Sequence, residues 1–283
     1  MPVTLLVLAI AASASIVVWW ASLRPVGPDP VDPATEEQWL LRWLGRHPRW
    51  GSLARSVDRR VAGGLMLVVS LAVLLGTALV VGLVFDMVDG NRGLARWDRA
   101  VAEWGSTHAT GATTRVLETL TDLGGTFYVV VFAVLIALVD WTRHRNPNVP
   151  LFLTTVLVGV VVINNVLKLI VDRERPDVAH LVQASGSSFP SGHSATAAAA
   201  WCAFALVIAR HWTRRGRAIA AGVAAVVAVS VAASRALLGV HWLTDVVAGL
   251  MVGWGWFLLC ALAFGGRLQR LGEPAERSAL VSS

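Results

Sequence analysis

Three polar clusters interrupt a chain that is otherwise strongly apolar. The first cluster is Lys168-x6-Arg175-Pro176, the second is Pro190-Ser191-Gly192-His193, and the third is Ser234-Arg235-x5-His241-x3-Asp245. Ionisable side chains are costly to hold beside lipid, and where they occur they usually mark a functional site. The clusters combine cations with two histidines and a carboxylate, which predicts that they bind an anionic group and transfer protons.

The first cluster contains the single lysine among 24 basic residues. The compact ammonium of Lys168 suits one phosphate oxygen, where a guanidinium fork would need more room. On a continuous helix Asn164 or Asn165, Lys168, Asp172 and Arg175 recur at helical spacing and form a polar stripe. The alternative is a lysine that snorkels from a helix end toward the membrane surface.

The second cluster predicts a loop that leads into the amino terminus of a helix. Unpaired N–H groups and the helix dipole make such an end an anion site, and Gly192 permits close approach of the backbone. His193 then lies beside the bound anion and exchanges protons near neutral pH. The alternative is an ordinary loop in which Ser191 or Ser194 caps the helix and His193 faces water.

The third cluster places His241 and Asp245 four residues apart, on one face of a helix. A carboxylate there orients the imidazole and leaves its other nitrogen free to attack. Gly249 and Gly253 continue the same face and predict close packing of a neighbouring helix. Taken alone, the His-x3-Asp pair is more typical of a structural cap.

In this order the clusters resemble the signature of the type 2 phosphatidic acid phosphatase superfamily, which reads K-x6-R-P, P-S-G-H and S-R-x5-H-x3-D. The resemblance covers the stretch from the second predicted span to the seventh and implies an integral-membrane lipid phosphatase with six core helices. It implies that His241 forms a phosphohistidine, that Asp245 orients His241, and that His193 is the general acid and base. It implies phosphate binding by Lys168, Arg175, Ser191, Gly192 and Arg235, with no metal and no other cofactor.

Composition independently predicts an all-α, polytopic membrane helix bundle, because 55% of residues are hydrophobic, 15% are charged and the mean hydropathy is +0.63. The net charge of +6 does not indicate a nucleic-acid partner, since the arginines lie in short loops beside apolar stretches. Cys202 and Cys260 lie within apolar stretches and predict neither a disulfide framework nor a zinc site.

Seven spans are predicted, and the first of them, at 3–23, is interpreted as a helix because no basic residue precedes it as in a signal peptide. An amphipathic cytoplasmic linker follows, so that 1–60 forms an N-terminal unit, 61–266 the six-span core and 267–283 a disordered cytoplasmic tail. Residues 86–122 are interpreted as a loop. The core spans are predicted at 61–85, 124–140, 150–171, 194–210, 218–234 and 242–264.

Lys and Arg counts in the short loops predict the topology. Segment 24–60 carries seven Lys and Arg residues, segment 143–145 carries two, segment 210–217 carries four and the tail carries three. These four segments are therefore expected in the cytoplasm. The three clusters then share the opposite face. We therefore expect an extracytoplasmic site in a bacterial plasma membrane.

The expected partners are the bilayer and a lipid phosphate substrate: undecaprenyl diphosphate, phosphatidic acid or phosphatidylglycerol phosphate. One alternative is a phosphotransferase that passes the phosphate to another lipid. A second alternative is a non-catalytic lipid transporter, in which the charges line a polar path.

Overall fold

The computed structural model describes residues 59–145 and 147–264, and within these ranges the chain is helical without a strand. The α-helices are, in chain order, α1 (Arg59–Asp89), α2 (Asp98–His108), α3 (Gly111–Asp122), α4 (Thr126–His144), α5 (Asn148–Val171), α6 (Gly192–Ala209), α7 (Arg214–Leu237) and α8 (Leu243–Phe264). A 3₁₀ helix, Gly93–Trp97, precedes α2. The predicted all-α fold is confirmed.

Six of the described helices, α1 and α4 to α8, are long and apolar enough to cross a membrane. They confirm the six-span core and an integral membrane protein, and most of their ends fall within four residues of the predicted positions. The predicted first span at 3–23, nearly all of segment 24–60 and the tail at 267–283 lie outside the described residues. The division into three units therefore stays a prediction.

The interpretation of residues 86–122 as a loop was wrong, because they form the 3₁₀ helix, α2 and α3. These helices are too short and too polar to stand out as apolar runs, yet each buries one face. Leu117 packs with Leu237, Leu238 and Val240 in a small apolar cluster. At Gly105 an added Cβ would lie 2.4 Å from the carbonyl oxygen of Leu237. The segment therefore packs tightly over the end of α7 and the connection that follows it.

Helix α6 is the centre of the bundle. In its apolar stretch 67% of residues are buried inside the protein, against 11% for α1. Most of its buried residues are alanines, whose small side chains let neighbouring helices approach closely. The glycines of α8 likewise allow this helix to approach α6 closely. An added Cβ at Gly249 would lie 2.5 Å from the carbonyl oxygen of Ser191, and one at Gly253 would lie 2.2 Å from that of Ala195. The close helix packing predicted from this glycine pair is confirmed.

This packing brings three helix ends together. The carboxyl end of α5 and the loop after it carry the first cluster, and the residues around the amino end of α6 carry the second. The end of α7, its connection to α8 and the start of α8 carry the third. The backbone N–H of Ser191 donates a hydrogen bond of 3.0 Å to the carbonyl of Asp245, which ties the second cluster to the third. The tight core thus fixes the relative position of the polar groups.

Candidate active site

The three clusters meet at one end of the helix bundle. Nη1 of Arg175 lies 3.3 Å from Nε2 of His241, and Nζ of Lys168 donates to the carbonyl of Ser187 over 2.8 Å. Together with the bond from Ser191 to Asp245, these contacts connect all three clusters. The structure thus brings the predicted site residues into one pocket.

The guanidinium of Arg175 holds the loop between α5 and α6. Its Nε donates to the carbonyl of Gly186 at 3.1 Å, its Nη2 to that of Ser185 at 2.8 Å, and its Nη1 to that of Val240 at 2.6 Å. These bonds fix the loop against the α7–α8 connection and leave the charge beside His241. Arg175 is therefore placed to orient an anion mainly by its charge.

The predicted polar stripe on one helix is only partly correct. Helix α5 carries Asn164 and Lys168, but it ends at Val171, and Asp172 adopts a left-handed conformation with φ of 41°. Arg175 consequently lies in the loop and reaches the pocket from another direction. A left-handed residue reverses the path of the chain, and an extrapolated helical periodicity does not reveal it.

Arg235 is the buried cation with the most uncommitted donors. Only 6% of this residue is exposed, and Nη1 makes one long contact of 3.4 Å to the hydroxyl of Thr121. Its Nε is buried and has no hydrogen-bond partner among the described residues. A buried donor without a partner is costly, so Arg235 is well suited to an anion that enters the pocket.

The second cluster opens α6 as the sequence predicts. After a cis Phe189–Pro190 peptide, Ser191 occupies the N-cap position, and its hydroxyl accepts a hydrogen bond of 2.9 Å from Ser194. The first N–H groups of α6 point out of the helix end, as at every helix start. A Cβ at Gly192 would lie 3.3 Å from the amide nitrogen of Asn164, so glycine relieves a tight contact there.

His193 is the second residue of α6 and is half-buried. Its ring lies within the electrostatic range of Arg235, His241, Lys168 and Arg175. The histidine proposed for proton transfer thus shares one pocket with the cations and with the second histidine.

His241 lies between a carboxylate and a cation. Its Nδ1 is 3.6 Å from Oδ2 of Asp245, while its Nε2 faces Arg175. Oδ2 of Asp245 also accepts hydrogen bonds from the backbone N–H of Trp242, at 2.9 Å, and from the hydroxyl of Ser188. The arrangement favours a proton on Nδ1 and a free lone pair on Nε2, directed toward the cations.

Sequence reasoning missed Arg173 and Asp98, which adjoin the catalytic candidates. Nη1 of Arg173 donates to Oδ1 of Asp245 at 2.6 Å, and Nη2 donates to Oδ2 of Asp98 at 2.8 Å. The guanidinium also lies over the ring of Trp242, 5.3 Å from its centroid. Arg173 occupies a variable position of the first cluster, and Asp98 lies far upstream in the segment interpreted as a loop.

An apolar cleft begins beside this polar pocket. Its volume is about 490 Å³, and it lies between α1, α5 and α8. Leu167 and Phe189 line it, and they neighbour Lys168 and Ser191 in the sequence. The Phe189 ring meets Phe85 of α1 edge to face, with centroids 6.2 Å apart. Cations that neighbour the lining of an apolar cleft in the sequence suit an amphiphilic ligand.

Comparison with known families identifies this region of the chain. Residues 148–268, which contain all three clusters, match the family model of the PAP2 superfamily. This part of the chain is therefore similar to the PAP2 superfamily. A crystal structure described as the first transmembrane PAP2 type phosphatidylglycerolphosphate phosphatase, from Bacillus subtilis, superposes with a TM-score of 0.63 at 27% sequence identity. The match covers 70% of this chain and 98% of that chain.

Curated relatives align over shorter stretches. Phosphatidylglycerophosphatase B of Bacillus subtilis (strain 168) is 42% identical over 93 residues, which are 32% of this chain and 46% of that protein. Lipid A 1-phosphatase of Rhizobium etli is 38% identical over 125 residues, 40% of this chain and 49% of that protein. The chain thus spans about half the length of the curated relatives it matches.

Burial, more than the neighbouring charges, makes His241 a weak base. Burial lowers the pKa of His241 to about 4, Asp245 opposes this shift, and Arg175 and Arg235 add to it. A histidine with a lowered pKa is neutral at every pH well above that value. The Nε2 lone pair is therefore available at neutral pH, as a nucleophile requires.

We expect the acid limb of kcat/KM to lie closer to pH 4 than to 6.5, the ordinary pKa of histidine. On the acid side, activity is lost as His241 becomes protonated, and the measurement is kcat/KM between pH 4 and 8. Comparing a monophosphate with a diphosphate lipid separates the ionisation of the substrate from that of the enzyme. In Arg175→Met the acid limb should move to higher pH, because the substitution removes a positive charge near His241. A wild-type limb near pH 6.5 would contradict this assignment.

Proposed function

We propose that this protein is an integral-membrane lipid phosphatase, which hydrolyses the phosphate or diphosphate headgroup of a membrane lipid through a phosphohistidine intermediate. The observation that carries the proposal is the position of His241. One nitrogen faces Asp245 and the other faces Arg175, in a pocket that also contains Lys168 and Arg235. A nucleophile, an orienting carboxylate and cations around it are the parts that phosphoryl transfer requires.

Binding of the phosphate is assigned to the cations and to the start of α6. Arg235 offers a buried N–H donor, Lys168 offers its remaining ammonium protons, and Arg175 offers its charge. The N–H groups that follow Ser191 at the helix end supply further donors, and Gly192 lets the phosphate approach them. These groups also stabilise the negative charge that develops on the equatorial oxygens during transfer.

In the first step Nε2 of His241 attacks the phosphorus in line with the bond to the lipid oxygen. The P–N bond forms, the P–O bond breaks, and His193 donates its proton to the leaving oxygen. The negative charge of Asp245, 3.6 Å from Nδ1, stabilises the positive charge that develops on the ring. The dephosphorylated lipid leaves, and the phosphoryl group remains on His241.

In the second step water attacks the phosphohistidine. His193, now neutral, takes a proton from the water, the P–N bond breaks, and inorganic phosphate leaves. The proton gained by His193 restores it for the next cycle. An alcohol or a lipid phosphate in place of water would give the phosphotransferase reaction at the same site.

The apolar cleft supports a lipid as the substrate. Its lining residues Leu167 and Phe189 neighbour Lys168 and Ser191 in the sequence, and we propose that a hydrocarbon chain lies in the cleft with its headgroup phosphate near Lys168. The matched relatives named as phosphatidylglycerophosphatase and lipid A 1-phosphatase support this class of substrate. We place the site on the extracytoplasmic face of a bacterial plasma membrane, because the arginine-rich turns lie at the opposite end of the helices.

The test is release of inorganic phosphate by the purified protein in detergent with EDTA present. Undecaprenyl diphosphate, phosphatidic acid and phosphatidylglycerol phosphate are compared as substrates, and we expect hydrolysis of at least one. Phosphate that appears on an added lipid acceptor instead of in solution identifies a transferase. Loss of release in EDTA, restored by a divalent cation, would contradict the mechanism based on side chains alone.

A further inference from the structure

Arg173 connects two buried carboxylates that belong to distant parts of the chain. One of its terminal nitrogens donates to Asp245 and the other to Asp98, at 2.6 and 2.8 Å. The same Nη1 that contacts Asp245 also reaches the hydroxyl of Thr244, at 2.8 Å. One guanidinium thus spans the start of α2 and the start of α8.

Asp98 holds Arg173 in place and is itself firmly held. Its Oδ1 accepts the backbone N–H of Thr244 at 2.9 Å, and its Oδ2 accepts the Thr244 hydroxyl at 2.7 Å. Asp98 is 4% exposed and Thr244 is fully buried. Asp98, Arg173 and Thr244 therefore form a closed hydrogen-bonded group directly behind Asp245.

The orientation of the Asp245 carboxylate depends on this group. Oδ1 is bound by Arg173, whereas Oδ2 is bound by Trp242 N–H and by Ser188, and it lies 3.6 Å from His241. The contact to His241 is the longest of these, so the other partners decide how the carboxylate is turned. Because Asp245 has no exposed surface, its charge also needs a partner within the protein.

We propose that Arg173 and Asp98 are positioning residues that aim Asp245 at the Nδ1 of His241. This inference rests on the proposed function, in which His241 is the nucleophile. Arg173 fixes Oδ1, which turns Oδ2 toward the histidine ring, and Asp98 fixes the other arm of the guanidinium. Neither residue needs to contact the lipid, so their effect is exerted on the rate of phosphoryl transfer and not on substrate binding.

A purely structural role for the group makes a different prediction. If it only holds α2 against α8, its loss lowers the thermal stability, and the molecules that remain folded keep their kcat. If it positions Asp245, the loss lowers kcat in folded protein and leaves KM unchanged. The outer partners of metal-bound histidines typically contribute about 10- to 100-fold in activity, and we expect an effect of similar size here.

The experiment compares wild type with Arg173→Ala, Arg173→Lys and Asp98→Asn, with kcat, KM and melting temperature measured for each in detergent. We expect kcat to fall about 10- to 100-fold in Arg173→Ala with KM unchanged. The kcat of Arg173→Lys should fall less than that of Arg173→Ala, because the ammonium still reaches Asp245. It should still fall, because one ammonium does not also reach Asp98. Asp98→Asn should lower kcat as well, since Arg173 still binds Asp245 but is held less firmly itself.

Methylguanidinium added to Arg173→Ala provides a readout that a structural role does not affect. We expect it to restore kcat in a saturable manner, whereas methylammonium restores less. Arg99→Gln and Glu103→Gln are the matched controls, because this exposed ion pair lies on the same helix as Asp98. Both should retain the wild-type kcat.

The outcomes separate the two proposals. An inactive wild type contradicts the proposed function itself. An active wild type whose Arg173→Ala and Asp98→Asn variants keep kcat, or lose it only through unfolding without rescue, contradicts the positioning role. If Arg173→Ala does not fold, Arg173→Lys and Asp98→Asn decide the question. A lowered kcat with an unchanged KM supports the positioning role, and an unchanged kcat contradicts it.

Discussion

We expect His241→Ala to abolish release of phosphate from lipid phosphates while the protein stays folded. The substitution removes the nitrogen that attacks phosphorus, and no other histidine takes its place between Asp245 and Arg175 among the described residues. Loss of the nucleophile from a covalent mechanism typically costs about 10⁴-fold or more in kcat. The cations remain, so the variant should still bind the lipid.

A labelled substrate tests the intermediate directly. With ³²P in the headgroup, wild type quenched during turnover should carry a label that is stable in base and labile in acid, as phosphohistidine is. His241→Ala should carry none. His108→Ala is the matched control, because this exposed histidine lies on α2, outside the pocket, and its loss should leave the labelling unchanged.

Two results would contradict this assignment. Full phosphate release by His241→Ala would show that another group attacks the phosphorus. If wild type and His241→Ala both move lipid across vesicle membranes and neither releases phosphate, the transporter alternative is favoured. Under that alternative the charged pocket binds headgroups without reacting with them.

The spans could be predicted, and the candidate site residues stand out in the sequence, for the same physical reason, which is that lipid permits few solutions. A backbone in lipid must satisfy its own hydrogen bonds, so each long apolar run becomes a helix. The predicted span at 150–171 differs from α5 by only two residues at its start. Polar residues within such runs are conspicuous, which is why Lys168 and His241 were found from sequence alone.

The residues that sequence reasoning missed do not stand out from their surroundings in this way. Arg173 is one arginine in a chain whose basic residues are nearly all arginine, and nothing local sets it apart. Asp98 and Thr244 are separated by 146 residues and meet only because α2 packs against the start of α8. Contacts between distant segments depend on tertiary packing, and periodicity within one segment does not encode them.

A second buried charge pair lies at the opposite end of α6, where the loss of one partner alone should be costly. Arg210, directly after α6, binds Asp140 of α4, and their side chains are 3% and 5% exposed. Oδ1 of Asp140 also lies 2.9 Å from Nδ1 of His144, and Nε of Arg210 lies 3.0 Å from Nε2 of His211. The pair therefore fixes the far end of the helix whose start carries His193.

We expect Asp140→Ala to lower the free energy of unfolding by about 3–5 kcal/mol, because it leaves the Arg210 charge buried without its carboxylate. The measurement is reversible denaturation in detergent, together with kcat of the folded protein. Asp86→Ala is the matched control, since the Asp86–Arg92 pair is more than half exposed and its loss should cost no more than about 1 kcal/mol.

The double variant Asp140→Leu/Arg210→Met tests whether the pair stabilises the protein or only avoids a penalty. An apolar pair of similar volume removes both charges, so its stability should be close to wild type or above it. The kcat should be unchanged in both variants, because 17 residues of helix, about 26 Å, separate Arg210 from His193. A loss of kcat in folded Asp140→Ala would show instead that α6 transmits strain from this pair to the phosphate site.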